Sequence, residues 1–347
     1  MLTRRKRKIL FWVAVFIFFA LTPFVILYSL GYRIDSNFQL YSTGGIYISS
    51  SLTGSEIYIN SELKRTTNFF QSGIFVQDLS PGIYEVMIRK EGYNIWKKNL
   101  KVASQFVTEA RSLLVPKEAN ARVLLRGAFV DFSASSKDPI LLLVESAKNA
   151  RKMNFYLPQT NEFLIPGLNQ LNPEFRTIEI GNWLPQELLV KLDAKYYQIR
   201  FDLNQRTFSL ETIADPLITM SLDNYRLSLK EDAGEDFEIT WNASSTELKA
   251  RWLRDRIPPY YLASSTEPLM KDVSLRNFDF FPQRRDVLIA SYDNGIWAVE
   301  LDNRERQAFP LYKGRKPEFA VFPFGEMVYV FDDGVLMEIS TLAREDS

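Results

Sequence analysis

The 347 residues include no histidine and no cysteine, which removes most of the chemistry a chain of this length could carry. Without imidazole there is no Ser-His relay, no histidine general acid or base and no His-containing zinc site. Without thiol there is no cysteine nucleophile, few good transition-metal ligands remain, and no disulfide can form. Neither G-x-x-x-x-G-K-[ST] nor a G-x-G-x-x-G after a strand is present to cradle phosphates. What remains is carboxylate chemistry, as two acids flanking a glycosidic bond or as oxygen ligands for Ca²⁺. The candidates are Glu231-Asp232, Glu235-Asp236 and Asp332-Asp333, which adjoin Gly234 or Gly334 and lack the D-x-[DN]-x-[DN]-G spacing. Acidic residues beside glycine read as solvated turns. The sequence therefore predicts no catalytic residue, no metal and no cofactor.

One segment has the composition of a recognition surface. In Arg256-Ile257-Pro258-Pro259-Tyr260-Tyr261-Leu262, two prolines forbid regular ladder pairing, which predicts a loop displaying two tyrosines, a residue type enriched at interfaces. Pro258, Pro259, Tyr260 and Tyr261 are thus the candidate partner-binding residues. The competing reading folds both tyrosines back over a sheet edge.

The elements that would position such a loop begin with an anchor. Arg4, Arg5, Lys6, Arg7 and Lys8 precede Ile9 to Leu30, a run with no charged residue and long enough as a helix to cross a hydrocarbon core of about 30 Å. Pro23 near its end is tolerated in a membrane helix. Basic residues before the span place residues 1–8 in the cytoplasm and everything after residue 30 outside. A cleaved signal peptide is the rival, disfavoured by the length of the apolar run and by the lack of an A-x-A-like site at Leu27-Tyr28-Ser29-Leu30-Gly31. The expectation is a single-pass protein of the cytoplasmic membrane, with the lipid bilayer as its first partner.

Formal charge is zero, with 42 basic and 42 acidic residues. Setting the five basic residues of the N-terminus apart leaves 37 basic against 42 acidic, so no broad positive field exists to gather phosphates and nucleic-acid binding is disfavoured. Hydrophobic residues make up 46% and aromatics 14% of the chain, a composition that favours half-buried strands and argues against disorder.

From residue 44, short alternating runs appear: Gly45-Ile46-Tyr47-Ile48-Ser49, Glu56-Ile57-Tyr58-Ile59-Asn60 and Gly73-Ile74-Phe75-Val76. Pro81-Gly82 fits the two central positions of a type II turn, with a strand starting at Ile83. This region resembles the PEGA domain family over about residues 44–115. The resemblance rests on Gly54-Ser55-Glu56-Ile57-Tyr58-Ile59-Asn60, Leu79-Ser80-Pro81-Gly82-Ile83-Tyr84 and Lys90-Glu91-Gly92-Tyr93-Asn94-Ile95-Trp96, in that order and spacing. Leu52-Thr53-Gly54-Ser55 stands where the family has its namesake tetrapeptide, and only the glycine agrees. The resemblance implies a small antiparallel β module of envelope proteins, acting as a non-catalytic spacer or adhesion unit. Tyr84, Tyr93 and Trp96 are expected in its core, although a sugar-stacking platform is the functional alternative.

A polar, proline-containing linker at 116–121 is expected to separate the 31–115 module from residues 122–347. That last region carries a weak repeat in which an aromatic-Pro lead-in precedes an apolar strand, a polar turn with Asp and a second strand. Copies run from Asn182 to Leu203, Asp279 to Leu301 and Val321 to Ile339, with a fourth from Asp131 to Leu157 and a degenerate one around Phe237 to Trp241. The spacing of about 40 to 55 residues matches a four-stranded propeller blade and predicts about five blades; a pair of β-sandwiches is the structural alternative. The fold class expected is mainly β: a transmembrane helix, a small antiparallel domain and a β-propeller-like repeat domain. The function expected is a non-enzymatic envelope scaffold recognising a protein partner. The alternatives are adhesion to cell-wall or surface glycan through exposed Trp183, Trp241, Trp252 or Trp297, and a carboxylate-based glycan hydrolase.

Overall fold

The computed structural model describes residues 4–34, 39–118, 120–135, 138–167, 174–214, 229–231, 236–242, 246–262, 264–271, 274–322 and 325–341. The chain divides into two compact units, Met1–Leu114 and Val115–Ser347.

The first unit opens with α1 (Arg4–Ser29), continuous through Pro23 and with none of its residues buried. It has the length and composition of a membrane anchor or a signal sequence. Thr22 Oγ1 donates to the Phe18 carbonyl at 2.6 Å within this stretch. Gly31, at φ 81°, ends the helix in the left-handed conformation that glycine adopts without a Cβ penalty. A hairpin of β1 (Tyr32–Ile34) and β2 (Leu40–Ser42) follows directly. Arg33 fastens it to the helix end: its guanidinium donates to the Tyr28 carbonyl at 2.9 Å, lies 3.7 Å from the Tyr28 ring centroid and pairs with Asp78 at 2.5 Å.

Among the described residues, seven more strands belong to the unit: β3 (Gly44–Ser49), β4 (Glu56–Ile59), β5 (Glu62–Thr66), β6 (Gly73–Leu79), β7 (Gly82–Arg89), β8 (Trp96–Val102) and β9 (Val107–Arg111). They form a three-stranded sheet, β6-β3-β9, and a four-stranded antiparallel sheet, β5-β4-β7-β8. The β3–β9 pair is parallel. Period-two alternation does the sorting. Along β8, Trp96, Lys98, Leu100 and Val102 are buried while the residues between them face water. Ile46 and Ile48 of one sheet and Ile57, Ile59, Val86 and Ile88 of the other complete the core. Trp96 and Tyr93 are buried as expected, and Tyr84 is half-buried with its hydroxyl donating to the Ser80 carbonyl.

The type II turn expected at Pro81-Gly82 is not formed. Gly82 has no positive φ and is already the first residue of β7, while the left-handed residue is Asp78, at φ 61°. Asp78 lies inside β6, at the irregularity in its pairing with β3, and is paired with Arg33, a partner 45 positions away that local turn chemistry cannot reveal.

Among the described residues, the second unit is five sheets in a propeller-like array. Its first strand, β10 (Ala121–Arg126), begins within the stretch expected to be linker and belongs to the last sheet. Blade 1 is β11 (Phe129–Ala134), β12 (Leu141–Ala147), β13 (Ala150–Leu157) and β14 (Glu162–Phe163). Blade 2 is β15 (Ile165–Pro166), β16 (Ile178–Leu184), β17 (Glu187–Leu192), β18 (Lys195–Asp202) and β19 (Thr207–Ile213), with the short β15 added in parallel to β19. Blade 3 is β20 (Leu229–Glu231), β21 (Phe237–Asn242), β22 (Glu247–Trp252) and β23 (Thr266–Lys271). Blade 4 is β24 (Asn277–Phe280), β25 (Val287–Tyr292), β26 (Gly295–Glu300) and β27 (Ala308–Lys313). Blade 5 is β28 (Glu318–Val321), β29 (Met327–Asp332) and β30 (Val335–Ser340), with β10 as its fourth strand.

Blades 1 and 2, blades 3 and 4, and blades 5 and 1 share cores. Val144 and Phe155 of blade 1 pack with Leu188 and Phe201 of blade 2, and Trp183 Nε1 donates to Ser133 Oγ at 2.9 Å across that seam. Phe237 and Leu248 of blade 3 pack with Phe278 and Leu288 of blade 4. Ser291 Oγ donates to the Pro317 carbonyl between blades 4 and 5. Phe132 of blade 1 stacks on Phe331 of blade 5 at 5.6 Å, and β28 touches both β24 and β11. Blade 5 thus bridges the fourth blade to the first, and its sheet contains both the first and the last strand of the unit.

Candidate functional site

Pro258, Pro259, Tyr260 and Tyr261 lie in the connection from β22 to β23, where no ladder bond is asked of either proline. The Trp252 indole N–H, at the end of β22, donates to the Arg256 carbonyl at 2.8 Å and bends the chain back. Leu262 N–H donates to the Pro259 carbonyl at 2.9 Å and closes the turn. Both tyrosines are half-buried. Their rings meet edge to face at 5.4 Å, Tyr261 lies 6.1 Å from the Phe237 ring, and the Arg304 guanidinium sits 5.4 Å over Tyr260. The loop exists, but its tyrosines cover the seam between blades 3 and 4. What it presents outward is Ile257, which is 91% exposed.

Beside Ile257, three guanidiniums converge on one carboxylate. Asp236, just before β21, accepts from Arg254 Nε at 2.8 Å on Oδ1, and from Arg256 Nη2 at 3.1 Å and Arg285 Nη2 at 2.5 Å on Oδ2. The hydrogen bond from Arg285 and then that from Arg254 hold the Asp236 carboxyl below the usual carboxylate range, against the opposing effect of burial. A carboxylate so fixed in its ionised form cannot act as a general acid. Asp236 itself is buried, while the arginine side chains keep 51% (Arg254), 67% (Arg256) and 42% (Arg285) of their surface open. Asp236, Arg254, Asp255 and Arg256 line an open depression here. Below it, Arg284 and Asp286 form a buried bidentate pair at 2.8 and 2.6 Å. The result is a shallow surface on which Ile257 and Leu253 stand exposed next to partly exposed guanidiniums, chemistry suited to a partner's acidic and apolar groups.

The other sequence candidates are dispersed. Asp332 accepts from the Tyr312 hydroxyl at 3.0 Å and from the Arg315 N–H at 3.1 Å; burial and this hydrogen bond push the Tyr312 phenol up to about 12. Asp333 occupies a hairpin turn at φ 47°. Asp232 and Glu235 lie outside the described residues, and of Glu231 only the backbone pairing in β20 is described. Among the described residues, no group of three or more Asp or Glu is placed to hold a metal ion. Trp241 and Trp252 are buried and Trp183 and Trp297 half-buried, so none offers the fully exposed ring face that glycan stacking requires. Sequence reasoning missed the arginine cluster. Its signal was present in Arg254-Asp255-Arg256 and Arg284-Arg285, but the carboxylate that joins them, Asp236, lies 18 to 49 positions away.

No protein-family model matches the chain, and no curated protein sequence matches it. Solved structures of similar architecture include a luciferin-regenerating enzyme at 12% identity, covering 65% of this chain and 96% of that one with a TM-score of 0.38. A gluconolactonase from Xanthomonas campestris is similar at 10% identity over 74% and 82% of the two chains, with a TM-score of 0.28. TolB from Acinetobacter baumannii is similar at 9% identity over 74% and 59%, with a TM-score of 0.27. At these identities and scores the likeness carries nothing about activity.

Proposed function

We propose that this chain is a membrane-anchored, non-enzymatic recognition protein: α1 crosses the cytoplasmic membrane with the N-terminus inside, the small β unit acts as a PEGA-like spacer, and the propeller-like unit binds a protein. The observation that carries the recognition role is the surface at Asp236, where three guanidiniums are organised by a common carboxylate and Ile257, next to Arg256 in the chain, stands exposed. Preorganised arginines cost a partner little ordering, and an apolar anchor within a charged rim is the anatomy of a binding hot spot. Support for the anchor comes from the uncharged run of Ile9 to Leu30 behind five basic residues. A glycan-adhesive role is less well supported, because its aromatic platforms are turned inward.

The test places a photo-crosslinking residue at Ile257 in the full-length protein within native membranes. A discrete protein adduct is expected, lost when Arg254→Glu and Arg256→Glu are combined while the melting temperature of the propeller-like unit is retained. An adduct indifferent to those charges, or sedimentation with cell-wall sacculi in place of any protein adduct, would remove this surface as a protein-recognition site.

A further inference from the structure

The membrane-proximal end of the first unit is not a polar cap. Gly31 follows α1 and is bonded into the β fold: its carbonyl accepts from the Thr43 N–H at 2.8 Å, and the Thr43 carbonyl accepts from the Gln105 N–H at 2.8 Å. Gln105 Nε2 also reaches the Tyr32 hydroxyl at 3.1 Å. The turn after β8, the start of β3 and the end of β6 therefore lie at the helix end, with Gly44 paired to Leu79. Large apolar side chains at this same end point into solvent. Phe106 is 70% exposed and Ile83 72% exposed, with Val107, Ile34 and Leu40 also exposed. Ile83 is paired with Lys101, whose carbonyl accepts from Thr108 Oγ1 next to Val107, so these residues are contiguous in the fold.

We infer that this collar of Phe106, Val107, Ile83, Ile34 and Leu40 is seated in the headgroup region of the bilayer that α1 crosses. The inference rests on the anchor reading above. Ile9 to Leu30 spans about 33 Å as a helix, against a hydrocarbon core of about 30 Å, so the chain leaves the core at Gly31. Only two residues separate the helix from β1, and Arg33 clamps both together, so the collar is held at the surface by a short, fastened connection and not by a swinging tether. Tyr28 and Tyr32 flank the same level, where amphipathic aromatic rings are favoured. Lys101 adds an exposed cation suited to anionic lipid. Five exposed apolar side chains at one end are costly in water and find an apolar phase at this depth.

The absence of cysteine makes the test direct, since each single substitution supplies one labelling site. Full-length Phe106→Cys, Ile83→Cys, Phe16→Cys and Phe70→Cys variants are labelled with an environment-sensitive fluorophore and reconstituted in vesicles containing anionic lipid. Phe70 serves as the distal reference, since it precedes β6 at the end opposite Leu79, about 20 Å along the strand. The expected result is quenching of the labels at 106 and 83 by lipids carrying a nitroxide near the headgroup, quenching at 16 by deep-chain nitroxide, and quenching at 70 by aqueous iodide alone. Deep quenching at 16 with iodide-only quenching at 106 and 83 would overturn the collar and leave the anchor standing. Labels at 106 and 83 shielded from both lipid nitroxide and iodide would mean contact with a second copy of the chain, which also overturns it. Iodide quenching at 16 would defeat the anchor reading and the collar with it.

Discussion

Three guanidiniums reach the Asp236 carboxylate from positions 18, 20 and 49 residues away. From the sequence, Asp236 is legible as an acidic residue beside a glycine turn, and no more. Its partners are brought to it by β22 and by the link from β24 to β25, so its ionic role belongs to the tertiary structure. Because the folded carboxyl lies below its ordinary value of 3.8, its contribution to stability is fully present above that value and is lost as the pH falls from there through the depressed one. Asp236→Asn is therefore expected to lower the melting temperature at neutral pH by an amount that stays constant down to about pH 5 and shrinks below it. Thermal melts of both proteins across pH 8 to 3 check this, and a gap that widens in acid would contradict the assignment. The tyrosines at 260 and 261 teach a related point: two prolines identified the loop correctly, but only the Phe237 and Arg304 side chains decide which way its rings face.

At the scale of elements, the hairpins within the blades were the most readable part of the chain. The apolar runs at Leu188 to Leu192, Val287 to Tyr292 and Met327 to Asp332 are strands β17, β25 and β29, each followed by a two-residue turn into its partner. The reason is local. Two-residue connections between right-twisted strands favour positive φ, which Asp and Gly adopt readily: Asp193 has φ 55°, while after Asp293-Asn294 it is Gly295, the first residue of β26, that is positive, at φ 152°. Asp333 and Gly334 have φ 47° and 75° in this way. Gly334 also lies against the link before β11, where an added Cβ would come within 2.7 Å of the Gly127 carbonyl. Gly334→Ala is expected to cost about 1–3 kcal/mol by strain and close contact, measured by denaturant unfolding; an unchanged midpoint would show that the turn relaxes freely. Blade 3 was less legible because no proline leads into Phe237 as Pro185, Pro282 and Pro323 mark three of the other copies.

For the whole molecule, repeat spacing pointed to about five blades, because each copy repeats the same local pattern, and the described residues of the second unit hold five sheets. It could not give the join between first and last, since the pairing of β10 with β30 is a contact without local signal. Ala121 looks like linker in a polar, proline-containing stretch, yet it pairs with Ile339. Deleting residues 121–126 is expected to leave β30 with an open edge, lower the melting temperature and promote self-association through that edge. Size-exclusion chromatography of the detergent-solubilised protein checks this, and a monomer of unchanged stability would show that blade 5 does not need its fourth strand.

The same join sets a schedule for the chain's maturation. Arg122 meets Glu338 across 216 positions, so a nascent chain emerging from its N-terminus must hold one edge of the array uncommitted until nearly the last strand has been delivered. Blade 1 cannot gain its neighbour in blade 5 any sooner. Contacts of such sequence separation form slowly and leave sticky intermediates, so folding of this unit cannot be completed before β30 is available. A chain cut short near its C-terminus is left as an open arc with an unpaired strand, the kind of species that chaperones and proteases recognise.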